Sequence, residues 1–230
     1  MNKTRTALSG IIAATALLAV ACGSPDTGTD PAGVDAKGGD STTGPVTCAY
    51  TEAGKAASEV DLPPSEAQRG TVSMTLETSA GDIPLKLDGD RAPCTVNAVT
   101  HLAKAGYYDD TVCHRITTSG IYVLQCGDPT GTGTGRPGFI YADEYPVGSG
   151  DSPLYAAGTL AMANSGPGTN GSQFFMNYDD SPLPPSYTLF GTIEPEGMKV
   201  LEKIAEKGAE GGSADGAPAE EVRIEHATVN

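Results

Sequence analysis

The residues best suited to act on another molecule lie in one short stretch, 161–176, with the sequence Ala-Met-Ala-Asn-Ser-Gly-Pro-Gly-Thr-Asn-Gly-Ser-Gln-Phe-Phe-Met. Its glycines permit positive φ, and Pro167 fixes φ and removes a donor. Ser172 and the asparagines can hydrogen-bond to nearby backbone. Because such a loop has little core to bury, one reason for its composition is that it presents backbone to a ligand.

Other kinds of site find less support. The run 127–135 is rich in glycine and threonine, but it lacks the Gly-Lys-Ser/Thr ending and the following helix of a phosphate-binding loop, so we interpret it as a connecting loop. His101 and His226 have no companion cysteines at metal-binding spacing, and no metal site is expected. The formal net charge of −15 argues against nucleic acid as a partner and suits solubility outside a cell.

The elements that must position the 161–176 stretch are mostly strands. Apolar and polar residues alternate from Thr71 to Glu77 and again from Ile83 to Leu87, which predicts a half-buried hairpin. Helices are predicted at 93–105 and 195–207, and further strands at 112–116, 121–126, 159–162, 173–177, 188–193 and 221–229. Many strands with a helix near each end favour a closed barrel capped by helices, although this pattern alone does not distinguish a barrel from a sandwich.

The N-terminus has the features of an export signal. Lys3 and Arg5 precede an apolar run, 7–21, that is too short to span a bilayer comfortably and has the size of a signal-peptide core. The run ends Leu-Ala-Val-Ala-Cys, which is similar to a bacterial lipobox. We therefore expect a signal peptide at 1–21 and lipidation of Cys22, with the protein anchored on the extracytoplasmic face of the cell membrane. Plain secretion with cleavage nearby is the alternative.

Three further segments follow the cleavage site. Residues 22–47 are rich in Gly, Asp, Thr, Ser and Pro, which predicts a flexible tether. Residues 48–70 form a mixed extension in which Pro63 and Pro64 prevent a continuous helix. Residues 71–230 carry all the periodic elements and are expected to form the functional domain.

Cysteines other than Cys22 are even in number, which outside a cell suggests disulfides. Cys113 and Cys126 flank a predicted hairpin symmetrically, so they could be bridged, and Cys48 would then pair with Cys94. Arg115 and Gln125 lie just inside the first pair. Free buried thiols are the alternative.

Several motifs in one order carry a resemblance to a known family. These are His114-Arg115, the run that starts Gln125-Cys126-Gly127-Asp128, the 161–176 stretch and Phe190-Gly191. With them the chain resembles the cyclophilin peptidyl-prolyl isomerases over roughly residues 71–229. The resemblance implies a mainly β fold, an eight-stranded antiparallel barrel with a helix over each opening, and isomerisation of X-Pro bonds without a metal or cofactor.

The chemistry of X-Pro rotation explains the residue types that such a site needs. Rotation breaks amide resonance, a barrier of about 18–20 kcal/mol, so the site must bind the twisted amide better than either planar form. A pocket of low dielectric disfavours the charge-separated planar form, and a fixed donor can bond the prolyl nitrogen as its lone pair appears. Arginine suits that role because it is always charged and presents a rigid fork of donors.

The resemblance places the site residue by residue. Arg115 matches the essential arginine, and His114 beside it is expected to be structural, since no proton is abstracted. Tyr122 and Val123 fall where the family usually has phenylalanine and methionine, after two extra residues in the hairpin tip. The substrate-binding residues implied are Tyr122, Val123, Gln125, Ala163, Asn164, Gln173, Phe175, Leu183 and Tyr187.

The sequence thus predicts a membrane-tethered, monomeric isomerase that acts on proline-containing polypeptides while secreted or envelope proteins fold. The rival is a non-catalytic lipoprotein of the same fold that binds proline-containing segments without accelerating rotation. The absence of a two-lobed pattern argues against a third class, the solute-binding lipoproteins.

Overall fold

The computed structural model describes residues 44–150 and 155–230. The predicted signal peptide at 1–21, Cys22 and nearly all of the predicted tether lie outside these residues. In chain order the elements are β1 (Val46–Thr47), β2 (Tyr50–Glu52), β3 (Glu66–Ala67), β4 (Thr71–Thr78), β5 (Gly81–Asp88), α1 (Pro93–Lys104), β6 (Thr111–Val112), β7 (Arg115–Thr117), β8 (Val123–Cys126), β9 (Phe139–Tyr141), β10 (Thr159–Met162), β11 (Phe174–Asn177), β12 (Leu189–Ile193), α2 (Pro195–Lys207), a 3₁₀ turn (Glu210–Gly212), β13 (Asp215–Gly216) and β14 (Arg223–Val229).

Ten of these strands form one antiparallel sheet in the order β13-β7-β8-β11-β10-β12-β5-β4-β14-β6. β6 is last in this order and β7 second, yet β6 ends at Val112 and β7 begins at Arg115. Three residue steps reach at most about 11 Å, so the sheet must curl until its ends approach each other. The predicted mainly β class is confirmed, although the sheet order has ten strands rather than the eight of the expected closed barrel.

The longest hairpin shows why the sheet has a dry side. β4 pairs with β5 along its full length, and the buried side chains of both strands point to the same face. Those side chains are Met74, Leu76, Ile83, Leu85 and Leu87, each at most 2% exposed. Alternation in the sequence therefore becomes one apolar layer, as a period of two requires.

A carboxylate that lies far away in sequence caps α1. The backbone N–H groups of Cys94 and Thr95 donate to the Glu144 carboxylate at 3.0 and 2.7 Å, and the Thr95 hydroxyl donates to it as well. These donors have no partner within the helix, so the carboxylate satisfies them. Its negative charge also interacts favourably with the positive end of the helix dipole. Neither described helix has the length and apolar character needed to cross a membrane.

Residues 44–70, which include the predicted extension 48–70, are part of the folded domain. β1 pairs with β3, and β2 pairs with β9 through Tyr50 and Tyr141. The Tyr50 hydroxyl donates to the carbonyl of Cys94 at 2.7 Å. Since β1 already begins at Val46, the predicted tether ends earlier than expected.

Both predicted disulfides are present. Cys48 is bonded to Cys94, which joins the extension to the start of α1, and Cys113 is bonded to Cys126. The predicted strand 112–116 is broken at its middle: β6 pairs with β14, whereas β7 pairs with β8 and β13. At the break the Cys113 N–H donates to the carbonyl of Val222.

Candidate active site

A small cluster of apolar side chains, separate from the main core, surrounds a pocket of about 170 Å³. Most of the predicted site residues meet there. We call it the proline pocket. It is lined by Arg115, Ile121, Val123, Gln125, Ala163, Asn164, Phe175, Leu183 and Tyr187.

Three neighbouring strands deliver the central residues. Gln125 on β8 pairs with Arg115 on β7 on one side and with Phe175 on β11 on the other. Residues directly opposite each other in an antiparallel sheet point to the same face. The register therefore puts a cation, an amide and an aromatic ring in one row.

The floor of the pocket is a cluster of aromatic rings. Phe175 is 5% exposed, and the Tyr187 ring meets it edge-on at 5.5 Å between centroids. Behind both lies Tyr155, whose hydroxyl donates to the Tyr187 carbonyl at 2.8 Å and accepts from the Tyr187 N–H at 3.1 Å. Sequence reasoning missed Tyr155, since nothing local links it to residue 187.

The polar side of the pocket is a directional chain of hydrogen bonds, which we call the amide relay. The Gln173 amide N–H donates to the carbonyls of Gly133 and Gly135 at 3.0 and 2.9 Å. The Gln173 oxygen accepts from the Gln125 amide at 2.9 Å, and the Gln125 oxygen accepts from Arg115 Nη1 at 3.2 Å. Because carbonyls can only accept, the first step fixes the orientation of both amides.

Arg115 is held from its other side by Asp215. Nε and Nη2 each donate to a different carboxylate oxygen of Asp215 at 2.7 Å, a bidentate pair. The hydrogen bonds raise the pKa of Arg115 and lower that of Asp215, in both cases against the effect of burial. Sequence reasoning did not identify Asp215, which lies 100 residues from its partner.

The loop 127–135 is built around a buried acid. Asp128 is fully buried and accepts from the N–H groups of Thr130 and Gly135 and from the Thr130 hydroxyl. Burial would raise the pKa of Asp128, but these hydrogen bonds together hold it below its ordinary value. A buried carboxylate would repel a phosphate group. The loop instead presents the Gly133 and Gly135 carbonyls that begin the amide relay.

The segment 163–164 is fixed beside the pocket by its own contacts. The Ala163 N–H donates to the carbonyl of Gln173 at 2.9 Å. The Asn164 amide donates to the carbonyl of Ser186 at 2.9 Å and accepts from the N–H of Gly166 at 3.2 Å. The polar residues of this loop therefore set its backbone path.

Tyr122 does not line the pocket, which corrects its predicted place there. Its ring packs edge-on against Tyr178 at 6.0 Å, and its N–H donates to the hydroxyl of Ser181. Alternate residues of an extended chain face the same way. Ile121 and Val123 therefore share the pocket side with Gln125, and Ile121 takes the place expected for the tyrosine.

Gln173 lies one hydrogen bond behind the proline pocket, and it lines a second cavity of about 330 Å³. Because the two cavities share Gln125, Ala163 and Asn164, they are adjacent. Ala53 of the extension also lines the second cavity.

His114 lies outside both cavities. Neither ring nitrogen is exposed or has a hydrogen-bond partner among the described residues. Burial lowers its pKa, and Arg115 adds to this while Asp128 opposes it. A neutral imidazole packed against Gly133 fits the structural role predicted for it. Within the described ranges no group of three or more His, Cys, Asp or Glu side chains could hold a metal ion.

Comparisons with known proteins agree with this geometry. The family model described as "Cyclophilin type peptidyl-prolyl cis-trans isomerase/CLD" matches residues 71–229. A crystal structure of a cyclophilin-type peptidyl-prolyl cis-trans isomerase from Cryptosporidium parvum is similar with a TM-score of 0.61 and 30% identity, over 70% of this chain and 98% of that one.

Curated relatives carry related names. A "Probable peptidyl-prolyl cis-trans isomerase B" of Mycobacterium tuberculosis is 52% identical over 162 residues, 66% of this chain and 53% of that protein. The protein of the same name from Mycobacterium leprae is 47% identical over 78% of this chain and 65% of that protein. A "Peptidyl-prolyl cis-trans isomerase A" of M. tuberculosis is 38% identical over 70% of this chain and 93% of that protein. The chain spans about half of the length of the first of these relatives. With the family model matching residues 71–229, more than half of its length, the chain belongs to the cyclophilin-type peptidyl-prolyl cis-trans isomerases.

Proposed function

We propose that this protein accelerates cis–trans isomerisation of X-Pro bonds in polypeptides. The observation that carries the proposal is a guanidinium, that of Arg115, fixed beside an apolar pocket whose floor is Phe175. The names of the relatives support the same activity.

The arrangement suits the transition state of amide rotation. A proline ring placed on Phe175 puts its amide in a dry environment, where the charge-separated planar form is disfavoured. A guanidinium has five N–H groups. Of those, three donate to Asp215 and Gln125, which leaves two that can bond the prolyl nitrogen as it becomes a lone-pair acceptor. Rotation forms and breaks no covalent bond, so the step calls for no cofactor.

The substrate is a polypeptide rather than free proline. The second cavity adjoins the proline pocket and offers backbone and side-chain groups to residues next to the proline. Binding energy from such neighbours is useful when it orients the reacting bond.

We propose that the protein works outside the cytoplasm, held by lipid on Cys22, on secreted or envelope proteins. The basic and apolar N-terminal run and the lipobox-like sequence support this location. The two disulfides fit an oxidising compartment. Metabolic labelling with a fatty acid should mark the wild type and not Cys22→Ala. Absence of label from both, or release of both from membranes, would favour plain secretion.

The rival function, a binder without catalysis, is not favoured. A binder would need the apolar pocket but would not need a guanidinium fixed by three hydrogen bonds at its edge.

The test compares two arginines of similar exposure. The Arg115 side chain is 38% exposed and that of Arg223 is 36% exposed, and both form ion pairs with acids. In a protease-coupled assay on an X-Pro peptide, Arg115→Ala should lower kcat/KM on the order of 10²–10³-fold, as loss of a transition-state donor does. Arg223→Ala should remain within about twofold, because Arg223 donates to Asp110 and Glu221 away from the pocket.

Peptide binding separates the two functions. Arg115→Ala should still bind the peptide in an NMR titration, because the apolar pocket remains. Wild-type turnover no faster than the uncatalysed rate, with binding intact, would establish the rival binder.

A further inference from the structure

We infer that Asp215 is a positioning residue: its carboxylate orients the Arg115 guanidinium so that the two unengaged N–H groups point at the proline pocket. This inference rests on the proposed function, because it assigns a role within that reaction. Asp215 itself does not line the pocket.

The geometry is a clamp on two sides. Asp215 receives two parallel hydrogen bonds of 2.7 Å from Nε and Nη2, and Gln125 receives one of 3.2 Å from Nη1. A bidentate pair fixes both the position and the plane of a guanidinium, whereas a single bond leaves rotation about it. Asp215 is therefore the stronger of the two restraints on direction.

The fold brings this carboxylate to the site with a short strand. β13 pairs with β7 so that Asp215 lies opposite Thr117, which makes Arg115 its diagonal neighbour on the same face. The Thr118 N–H donates to the carbonyl of Ala214, and the Ser213 hydroxyl donates to that of Asp215. These contacts fix the backbone on both sides of the carboxylate.

Burial does not explain this strand. Residues 210–215 are all exposed, and Gly216 is half-buried. The Asp215 side chain is 55% exposed, and ion pairs at that exposure contribute little to stability. The contacts of this segment point instead to one role, which is to place a carboxylate beside Arg115.

The Asp215 charge could also act on the rate directly, and that effect would have the opposite sign to positioning. If its charge merely weakened the pull of Arg115 on the prolyl nitrogen, removing the carboxylate would raise the rate. A positioning role predicts that removal lowers it. The direction of the change in kcat therefore discriminates between the two.

The experiment measures kcat and KM for Asp215→Asn, Asp215→Ala and Asp215→Glu. Asp215→Asn should lower kcat on the order of tenfold, since small misplacements of a reacting group are costly, and should leave KM within about twofold. Asp215→Glu, which can still accept two bonds, should recover most of the loss. Glu221→Gln is the matched control, because Glu221 is an exposed carboxylate that pairs with Arg223, and it should change neither parameter.

A double-mutant cycle separates positioning from a general structural effect. In an Arg115→Lys background, Asp215→Asn should change kcat less than twofold, because no fork remains to be oriented. Equal losses in both backgrounds, or a wild-type-like kcat in Asp215→Asn, would overturn the inference.

A spectroscopic readout distinguishes this failure from failure of the proposed function. The Arg115 Nε–H resonance should be protected from exchange in the wild type and lose that protection in Asp215→Asn, with or without turnover. If the wild type is active and the Arg115 Nε–H is equally protected in the wild type and in Asp215→Asn, the positioning role of Asp215 is refuted and the proposed function stands. A wild type with no activity would refute the proposed function.

Discussion

The two disulfides are expected to make different contributions. The Cys48–Cys94 bridge should contribute more to stability, and the Cys113–Cys126 bridge should contribute more to activity. The perturbation is a pair of double variants, Cys48→Ala with Cys94→Ala and Cys113→Ala with Cys126→Ala. Each removes one bridge and leaves the other as an internal control.

The stability difference follows from loop length. The first bridge closes a separation of 46 residues and the second one of 13. Loop-closure entropy of the unfolded chain then gives about 4 kcal/mol for the first and about 3 kcal/mol for the second. The variant without the Cys48–Cys94 bridge should therefore lose about 1 kcal/mol more.

The activity difference follows from location. Cys126 is adjacent to Gln125, and Cys113 lies two residues before Arg115, so this bridge secures the end of the β7–β8 pair that carries the amide relay. Its removal should lower kcat/KM by roughly three- to tenfold through misplacement of Arg115. The other bridge joins the extension to α1, away from Arg115, and its loss should leave kcat/KM within about twofold.

Urea unfolding at equilibrium measures the first difference, and the protease-coupled assay under stabilising conditions measures the second. Reduction of the wild type should reproduce the activity loss. Unchanged turnover in both the Cys113/Cys126 variant and the reduced protein would refute the link to Arg115. A smaller loss of stability for the Cys48/Cys94 variant would refute the loop-length reasoning.

Two further predictions concern stability. Glu144→Ala should lower the free energy of unfolding by about 1–2 kcal/mol, because two N-terminal donors of α1 lose their acceptor; a loss near zero in urea unfolding would mean that water replaces the carboxylate without cost. Burial lowers the pKa of His114 below its ordinary value, so the unfolded chain binds more protons; the stability that His114 contributes is full above the ordinary pKa of about 6.5 and is lost as pH falls below it. Between pH 7.5 and 5.5 the wild type should lose more unfolding free energy than His114→Gln, and equal losses would contradict this reasoning.

Periodicity in the sequence was sufficient to predict the long elements. Both helices start at the predicted prolines, and β4, β10 and β14 lie within two residues of their predicted ends. The two-residue strands β1, β3 and β13 were not predicted. An alternating pattern cannot be recognised in two residues, so such strands are determined by the partner they pair with.

The predicted site residues come partly from strands and partly from loops, and the loop residues Ala163, Asn164, Leu183 and Tyr187 line the pocket. Arg115, Gln125 and Phe175 lie within strands, and the structure brings them together. Tyr122 comes just before β8 and packs against Tyr178, and Ile121 lines the pocket in its place.

Two supporting residues had no local signal at all. Asp215 acts across 100 residues and Tyr155 across 32, and neither lies in a motif. Contacts of this kind depend on how the sheet curls. The disulfide pairing could be predicted only because a hairpin places its two flanks opposite each other, which is a local property.

The division of the pocket into an amide relay and an apolar wall has a practical consequence for engineering. Ile121, Val123 and Leu183 contribute hydrocarbon surface only, whereas Gln125 and Arg115 hold each other through polar bonds. A library of apolar replacements at those three positions could retune which residues are tolerated around the proline while the donor geometry stays intact. The same freedom does not extend to Gln125. Its amide N–H donates to the Gln173 oxygen, and an isosteric glutamate would put an acceptor oxygen against that acceptor.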